Sequence, residues 1–303
     1  MGVEAAPLLS GKARAREGDI VLARLRVLPS SDGIEPGLAE LDALAERGVH
    51  VLNRSGCLTA AHDKLATAIR LARAGLPHPR TVHVDWPLAL PEMAYPTVVK
   101  PRFGALGRDV VLCETPAALA GTLERLSHRG WFERQGALVQ ELVPAASSEL
   151  RVVVAGGTVA GALERVAAPG HWRTSASVGA CRPLAELPEE AAETALLAAG
   201  ALGCDLVGID LLEAPSGYVV LEANGAVEFT EAYGLDGNDP FVEAARALLV
   251  PQAVHAGLLT GDHAAPPGSR ALPEGALRSG WPDSNRRPPR PKRGALTRLS
   301  YIP

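Results

Sequence analysis

An α+β fold is what this sequence predicts, and three observations carry the prediction. Two stretches read as β-hairpins: Leu206–Leu212 and Tyr218–Leu221 flank the turn Ala214-Pro-Ser-Gly217, and Leu150–Val154 and Val159–Arg165 flank Ala155-Gly-Gly157. Other segments place apolar residues at helical spacing between clear end signals, Glu189–Leu202 among them. Aromatic residues make up 4% of a chain that is 47% hydrophobic, so the core has to be built from Val, Leu and Ala.

Taken in order, residues 1–18 show no clear pattern, and Asp19–Leu28 reads as a strand. Leu38, Leu41, Leu44 and Ala45 predict a helix over Pro36–Gly48, and Val49–Leu52 is a second short strand. A single strand–helix–strand unit leaves sheet edges open, so further strands or partners are expected. Asp63 is placed to cap a helix from His62 through Ala74, which Gly75 and Pro77 stop. Strands follow at Thr81–Val84, Thr97–Val99 and Asp109–Cys113. Thr115 and Pro116 start a helix that runs to about Ser127, and Ala137–Val143 is another strand. After the two hairpins and the helix between them, Asp239-Pro240 starts a last helix to about Val250. From Pro251 onward Pro and Gly are frequent, and Arg286-Arg-Pro-Pro-Arg-Pro-Lys-Arg293 is strongly basic. Such a segment buries too little surface to offset its chain entropy, so 251–303 is predicted to be disordered. An arm that binds RNA or a membrane surface is the functional alternative for it.

With 303 residues the chain can hold one large or two ordinary domains. A formal net charge of −4 argues against nucleic-acid binding by the chain as a whole, leaving the basic tail as the exception. Cys57, Cys113, Cys181 and Cys204 form no C-x-x-C pair, so neither a zinc site nor a disulfide framework is indicated, and a reducing cytoplasm is expected. No apolar run suits a membrane span, and no secretory signal is read at the N-terminus.

The chemistry centres on the second hairpin. Folding it about Pro215 and Ser216 sets Asp210 opposite Glu222 or its neighbour, with Asn224 on the face of Glu222. Two buried carboxylates repel, so something positive is expected between them. Hard oxygen donors without His or Cys suit Mg²⁺, and the other reading is a polar face that is merely wet. Of 30 basic residues only four are lysines, Lys12, Lys64, Lys100 and Lys292. Lys64 stands near a helix start, and Lys100 at a strand end before a loop containing Gly104 and Gly107. A compact ammonium and close-approaching loop amides suit phosphate; each lysine alone also reads as a surface residue. Gln140-Glu141, with Leu142 and Val143, could present backbone groups to an adenine edge, and Glu149 could accept from ribose hydroxyls; a solvated strand end is the alternative.

In their order along the chain these features resemble the ATP-grasp superfamily, specifically the RimK-like carboxylate–amine ligases. That group includes α-L-glutamate ligases and the ligases that modify carrier-protein termini in lysine biosynthesis. The matching landmarks are Asp63-Lys64, Val98-Val-Lys-Pro101, the Gly104/Gly107 loop, Gln140-Glu141, Glu149-Leu-Arg151, Glu164-Arg165, Gly208-Ile-Asp210 and Glu222-Ala-Asn224. His171-Trp172 and Val227-Glu-Phe229 look closest to the carrier-protein group. The resemblance implies two α+β subdomains gripping ATP, over 61–140 and 141–250, behind a shortened α/β pre-ATP-grasp domain at 1–60. It implies that Lys64 and Lys100 contact phosphates and the adenine side, that Gln140, Glu141, Leu142 and Val143 form the hinge, and that Glu149 binds ribose. Asp210, Glu222 and Asn224 would hold two Mg²⁺ (or Mn²⁺), and Arg151 and Arg165 would face the transferred phosphoryl group. Three departures stand out: the family commonly has Arg at Val166, Asn at Ser175 and Arg-Gly-Gly at Val178-Gly-Ala180. Ser175 still offers an oxygen, and Arg173 is near enough in sequence to substitute for the missing charge.

The expected function is Mg²⁺- and ATP-dependent formation of an amide through an acyl phosphate. The donor would be an amino acid such as glutamate, and the acceptor a carboxylate on a peptide, a carrier protein or a small molecule. A homo-oligomer is expected. The rivals are a nucleotide-binding protein with weak or lost turnover and a partner-binding protein acting through its basic tail.

Overall fold

The computed structural model describes residues 15–27, 29–30, 33–34, 37–104, 107–143, 148–168 and 179–255. The basic tail, His171, Trp172, Arg173, Ser175 and Val178 lie outside them. Strand β1 (Ile20–Leu22) pairs in parallel with β4 (His50–Leu52), joined through the small hairpin β2 (Pro29–Ser30) and β3 (Gly33–Ile34) and through helix α1 (Gly37–Glu46). The ladder is shorter than the strand expected over 19–28, yet Ala23, Leu25 and Val27 stay buried while Arg26 is exposed and the half-buried Arg24 donates to the Val227 carbonyl. Period-two alternation therefore continues after pairing has stopped.

Helix α2 (Ser55–His62) was not anticipated. Its apolar residues are mostly Ala and Cys, and its N-cap, Arg54, makes no side-chain cap bond, so the usual start signal is missing. It abuts α3 (Lys64–Arg73) at Asp63, whose carboxylate accepts from the Leu65 and Ala66 amides as expected of a cap.

An antiparallel sheet follows in the order β5 (Thr81–Val84), β8 (Ala137–Glu141), β6 (Thr97–Pro101), β7 (Val111–Cys113). Helices α4 (Pro116–Ser127) and α5 (Gly130–Gln135) close its apolar face over Val99, Leu119, Leu123, Phe132 and Val139. Thr115 caps α4 through the Ala118 amide, as the sequence indicated, whereas the six residues of α5 are too few for periodicity to reveal.

The second antiparallel sheet runs β11 (Gly179–Pro183), β10 (Thr158–Ala167), β9 (Ser148–Ala155), β12 (Leu206–Ala214), β13 (Gly217–Asn224). One face, with Val152, Val154, Ala162, Ile209, Leu211 and Ala223, packs on α6 (Glu189–Leu202). Residues of α1, α2 and α3 join the same core, so the N-terminal segment and this sheet share one apolar interior. The opposite face is apolar at one end only. There Val153, Leu163 and Leu206 meet Val227, Phe229 and Tyr233 and the final helix α7 (Pro240–His255). Further along the strands that face turns polar, and the candidate site lies there.

Candidate functional site

Register decides which side chains share the polar face. Counting back from the turn, Ala214 opposes Gly217 and Leu211 opposes Val220, so an unbroken ladder would set Leu221 against Asp210. A bulge between Asp210 and Leu211 shifts the pairing by one: Glu222 faces Asp210, and Asn224 faces Gly208. On its other side Asp210 opposes Arg151 of β9, and Arg165 of β10 opposes Glu149. Glycine at 208 is what the packing there permits, because a Cβ would lie 2.7 Å from Val227 Cγ2.

The positive charge expected between the two carboxylates comes from the chain itself. Arg151 holds Asp210 with both arms of its fork, Nε to Oδ1 at 2.5 Å and Nη2 to Oδ2. Arg165 Nη1 lies 3.0 Å from Glu149 Oε1 and 3.5 Å from Asp210 Oδ2. Lys64 Nζ sits 3.1 Å from Glu222 Oε1 and donates to the Gly104 carbonyl at 3.0 Å. Lys100, buried, donates at 2.8 Å to Gln140 Oε1, and Gln140 donates in turn to Thr81 Oγ1. Desolvation works against the Glu222 carboxylate, but Lys64 and then Lys100 outweigh it and hold its pKa below the usual range.

Among these seven side chains Glu149, Asp210 and Glu222 stand against Lys64, Lys100, Arg151 and Arg165, so cations exceed carboxylates by one. A face with that excess suits an anion such as a polyphosphate, with any divalent ion arriving beside it. The donor set still fits such an ion. An ionised carboxylate has about four lone-pair sites, of which Arg151 takes two on Asp210, and Glu222 and Asn224 add further hard oxygens. Among the described residues no three His, Cys, Asp or Glu side chains gather into a metal cluster, so phosphate and water would have to complete the shell.

Lys100 gives the site a pH dependence. Burial brings its ammonium from an ordinary 10.5 to about 8, opposed by Glu222 and helped to a smaller degree by Lys64. Charged Lys100 attracts a phosphate brought beside it and neutral Lys100 does not, so affinity for such an anion should hold below pH 7 and fall as the pH rises through about 8. Bound phosphates pull the proton back, so the limiting slope is about tenfold per pH unit. The nucleotide-free protein responds with the opposite sign: losing a buried charge stabilises it from about pH 8 toward 10.5. Titration calorimetry with ATP between pH 6.5 and 9.5 measures the first effect, and a Lys100→Met variant should show a flat profile.

Other expected residues stand differently. The Glu141 and Leu142 amides donate to the Arg80 and Pro96 carbonyls at 3.0 and 3.1 Å, so those two donors are taken up in the sheet and are not turned toward an adenine edge. Val143 follows them, half-buried. Glu149 is 5% exposed and held by Arg165. Gly107 adopts φ 65°, the left-handed conformation a glycine takes without strain. Val166, opposite Ser148 and Ala180, brings no charge to its position. A cavity of about 220 Å³ beside β9 is lined by Glu149 itself together with Glu164, Glu186, Glu213 and Tyr218, and so much acid disfavours phosphate there.

Sequence reasoning missed Arg102 and Asn53. Arg102 binds Asp63 through a fork. Asn53 is fully buried at φ 59°, and its amide bridges three separate chain segments. The only local signal for Asn53 was its residue type, since Asn tolerates the left-handed region better than most.

Residues 61–239 match the family model described as "RimK-like ATP-grasp domain". A protein of Xanthomonas axonopodis pv. citri (strain 306) called "Probable alpha-L-glutamate ligase" is 34% identical over 220 residues, covering 71% of this chain and 72% of that protein. The crystal structure of a RimK domain protein ATP-grasp from Sphaerobacter thermophilus DSM 20745 aligns with a TM-score of 0.54 at 24% identity, over 76% of this chain and 81% of that one. The ATP-grasp ligase PsnB, solved with a phosphomimetic variant of its minimal precursor, Mg and ADP, aligns with a TM-score of 0.51 at 23% identity, over 72% and 67%.

Proposed function

Because the chain belongs to the RimK-like ATP-grasp family of ATP-dependent ligases, we propose that it joins an amino-acid amine to a carboxylate through an acyl phosphate, with Mg²⁺ as the preferred ion and Mn²⁺ as a substitute. The observation that carries this reading is the approach of Lys64 and Lys100 to Glu222 beside the face on which Arg151 and Arg165 hold Asp210.

Lys64 exchanges the Gly104 carbonyl and Glu222 for phosphate oxygens, and Lys100 reaches them from the base of the other sheet. Gly104 and Gly107 let backbone N–H groups approach the phosphates closely, while Gln140 to Val143 border the adenine and Glu149 borders the ribose side. Asp210, Glu222 and Asn224 would hold two divalent ions, which when bound would neutralise charge at the phosphate oxygens. The structure of PsnB, which shares the fold, contains Mg and ADP. A substrate carboxylate oxygen attacks the γ-phosphorus and ADP leaves. The amine nitrogen then attacks the acyl carbon, inorganic phosphate leaves with its electron pair, and the nitrogen gives up a proton. Arg151 and Arg165, already fixed by Asp210 and Glu149, stabilise the transferred phosphoryl group without reorganising. Arg173 and Ser175 remain part of this proposal, on the acceptor side.

The donor is an amino acid, with glutamate tested first, and the acceptor is a peptide, a carrier protein or a small carboxylate. Incubation with ATP, Mg²⁺ and pairs drawn from these classes should release ADP and phosphate in equal amounts and yield an amide detectable by mass. One observation favours a second reading, nucleotide binding with weak turnover: Val166 leaves uncharged a position where the family resemblance implies Arg. Tight ATP binding without ADP release across the whole panel would select that reading.

A further inference from the structure

We propose that Arg102 is a positioning residue: by pairing with Asp63 it fixes the segment Arg102–Gly104 against the start of the helix carrying Lys64, and so sets the affinity for the triphosphate. The inference rests on the ligase reading above and adds to it a residue that touches no phosphate.

Arg102 directly follows Lys100-Pro101 at the end of β6, where the chain leaves the sheet for the Gly104 loop. Its Nε lies 2.7 Å from Asp63 Oδ1 and its Nη2 2.5 Å from Oδ2, the two-pronged geometry that only a planar guanidinium provides. Asp63 is 3% exposed and already committed, accepting from the Leu65 and Ala66 amides at 3.1 and 3.4 Å to cap α3. The same two segments meet through two more bonds, Lys64 N to the Arg102 carbonyl at 3.2 Å and Lys64 Nζ to the Gly104 carbonyl at 3.0 Å. The guanidinium also lies 5.6 Å from the ring centroid of Phe103, which packs on the shared core.

The consequence follows from where the bonds stop. When Lys64 turns to a phosphate it gives up Gly104, so the Arg102–Gly104 segment loses one of its ties to the start of the helix. The Asp63–Arg102 pair is unaffected by that exchange, so it keeps Arg102–Gly104 in place through it. Exposed ion pairs contribute little, but this one has a buried acid, two parallel bonds and a capped helix holding the acid still.

The test is a double-substitution cycle read as the Kd and KM for ATP. Asp63→Asn keeps a capping oxygen and loses the charge, because Asn caps as well as Asp does. Asp63→Asn and Arg102→Ala should each weaken ATP binding roughly tenfold, the equivalent of about 1.4 kcal/mol of lost preorganisation, while kcat changes far less. The double variant should be no weaker than either single one, and Arg102→Lys should recover part of the loss. Amide exchange at Gly107 to Val110 should speed up in both single variants before any nucleotide is added. Unchanged affinity with a lowered unfolding temperature, or losses that multiply in the double variant, would overturn the proposal. Absence of ATP binding by the wild-type chain would instead sink the ligase reading, and this inference with it. If Arg102→Ala does not fold, the Lys and Asn variants carry the same comparison.

Discussion

Asp210→Asn is expected to remove turnover and to destabilise the protein in a single step. The side chain is 4% exposed, opposes Glu222 on one strand and Arg151 on the other, and both arms of Arg151 end on its oxygens. An amide in its place leaves Arg151 and Arg165, each 11% exposed, facing one another without the charge that separates them. Breaking one side of a buried ion pair costs about 3–5 kcal/mol, which urea unfolding would register as a lower midpoint with an unchanged slope. Turnover should fall by about 10²–10³, the range for losing one preorganised charge, and single-turnover ADP formation measures it. The two effects separate in Arg151→Met, which should recover less activity than stability relative to Asp210→Asn when both are combined. A fully stable Asp210→Asn protein would mean that the pair is open to water, and the account of the polar face would fail.

Asn53→Ala should be the most destabilising substitution away from the site. The Asn53 amide donates to the carbonyls of Ala23, Leu206 and Gly225, its oxygen accepts from the Asp205 and Leu206 amides, and its backbone N–H reaches Asp205 Oδ2 at 2.6 Å. One side chain thus replaces the strand pairing that the end of β4 and the start of β12 do not make with each other. Each buried group left unsatisfied costs about 1–3 kcal/mol, so with partial relaxation a loss of roughly 3–5 kcal/mol is expected. For a chain of this length that lowers the thermal midpoint by roughly 6–20 °C. Asp at 53 has the same shape and no donors, so Asn53→Asp should be about as damaging as Asn53→Ala in a calorimeter. An Asp variant near wild-type stability would show that shape, not hydrogen bonding, decides the position. Because Gly225 directly follows Asn224, the same amide also anchors the far end of the candidate ion site.

How far the sequence could be read follows from how local each signal is. The hairpin around Pro215 and Ser216 and the Thr115 and Asp63 caps depend on neighbours within a few positions, and they appear where expected. The facing of Asp210 and Glu222 was readable only to within one residue, because the bulge is a property of two strands together. The pairing of Asp210 with Arg151 spans 59 residues, so the need for a cation there was readable but not which residue would supply it. Helix α2 hid behind small residues, and α5 was too short to show a period. Gln140, read as part of a hinge, is also a buried spacer between Lys100 and Thr81, a role set by three strands meeting and so invisible along the chain.

The bulge between Asp210 and Leu211 makes the second hairpin tolerant of length change in one direction only. Tyr218 to Leu221 already hold one residue more than a straight ladder needs, so losing one there could be absorbed by straightening, with Asp210 still meeting Glu222. Gaining one finds that slack already used, and the acid would swing to the apolar side. Among relatives, shortenings of this strand should therefore be commoner than lengthenings.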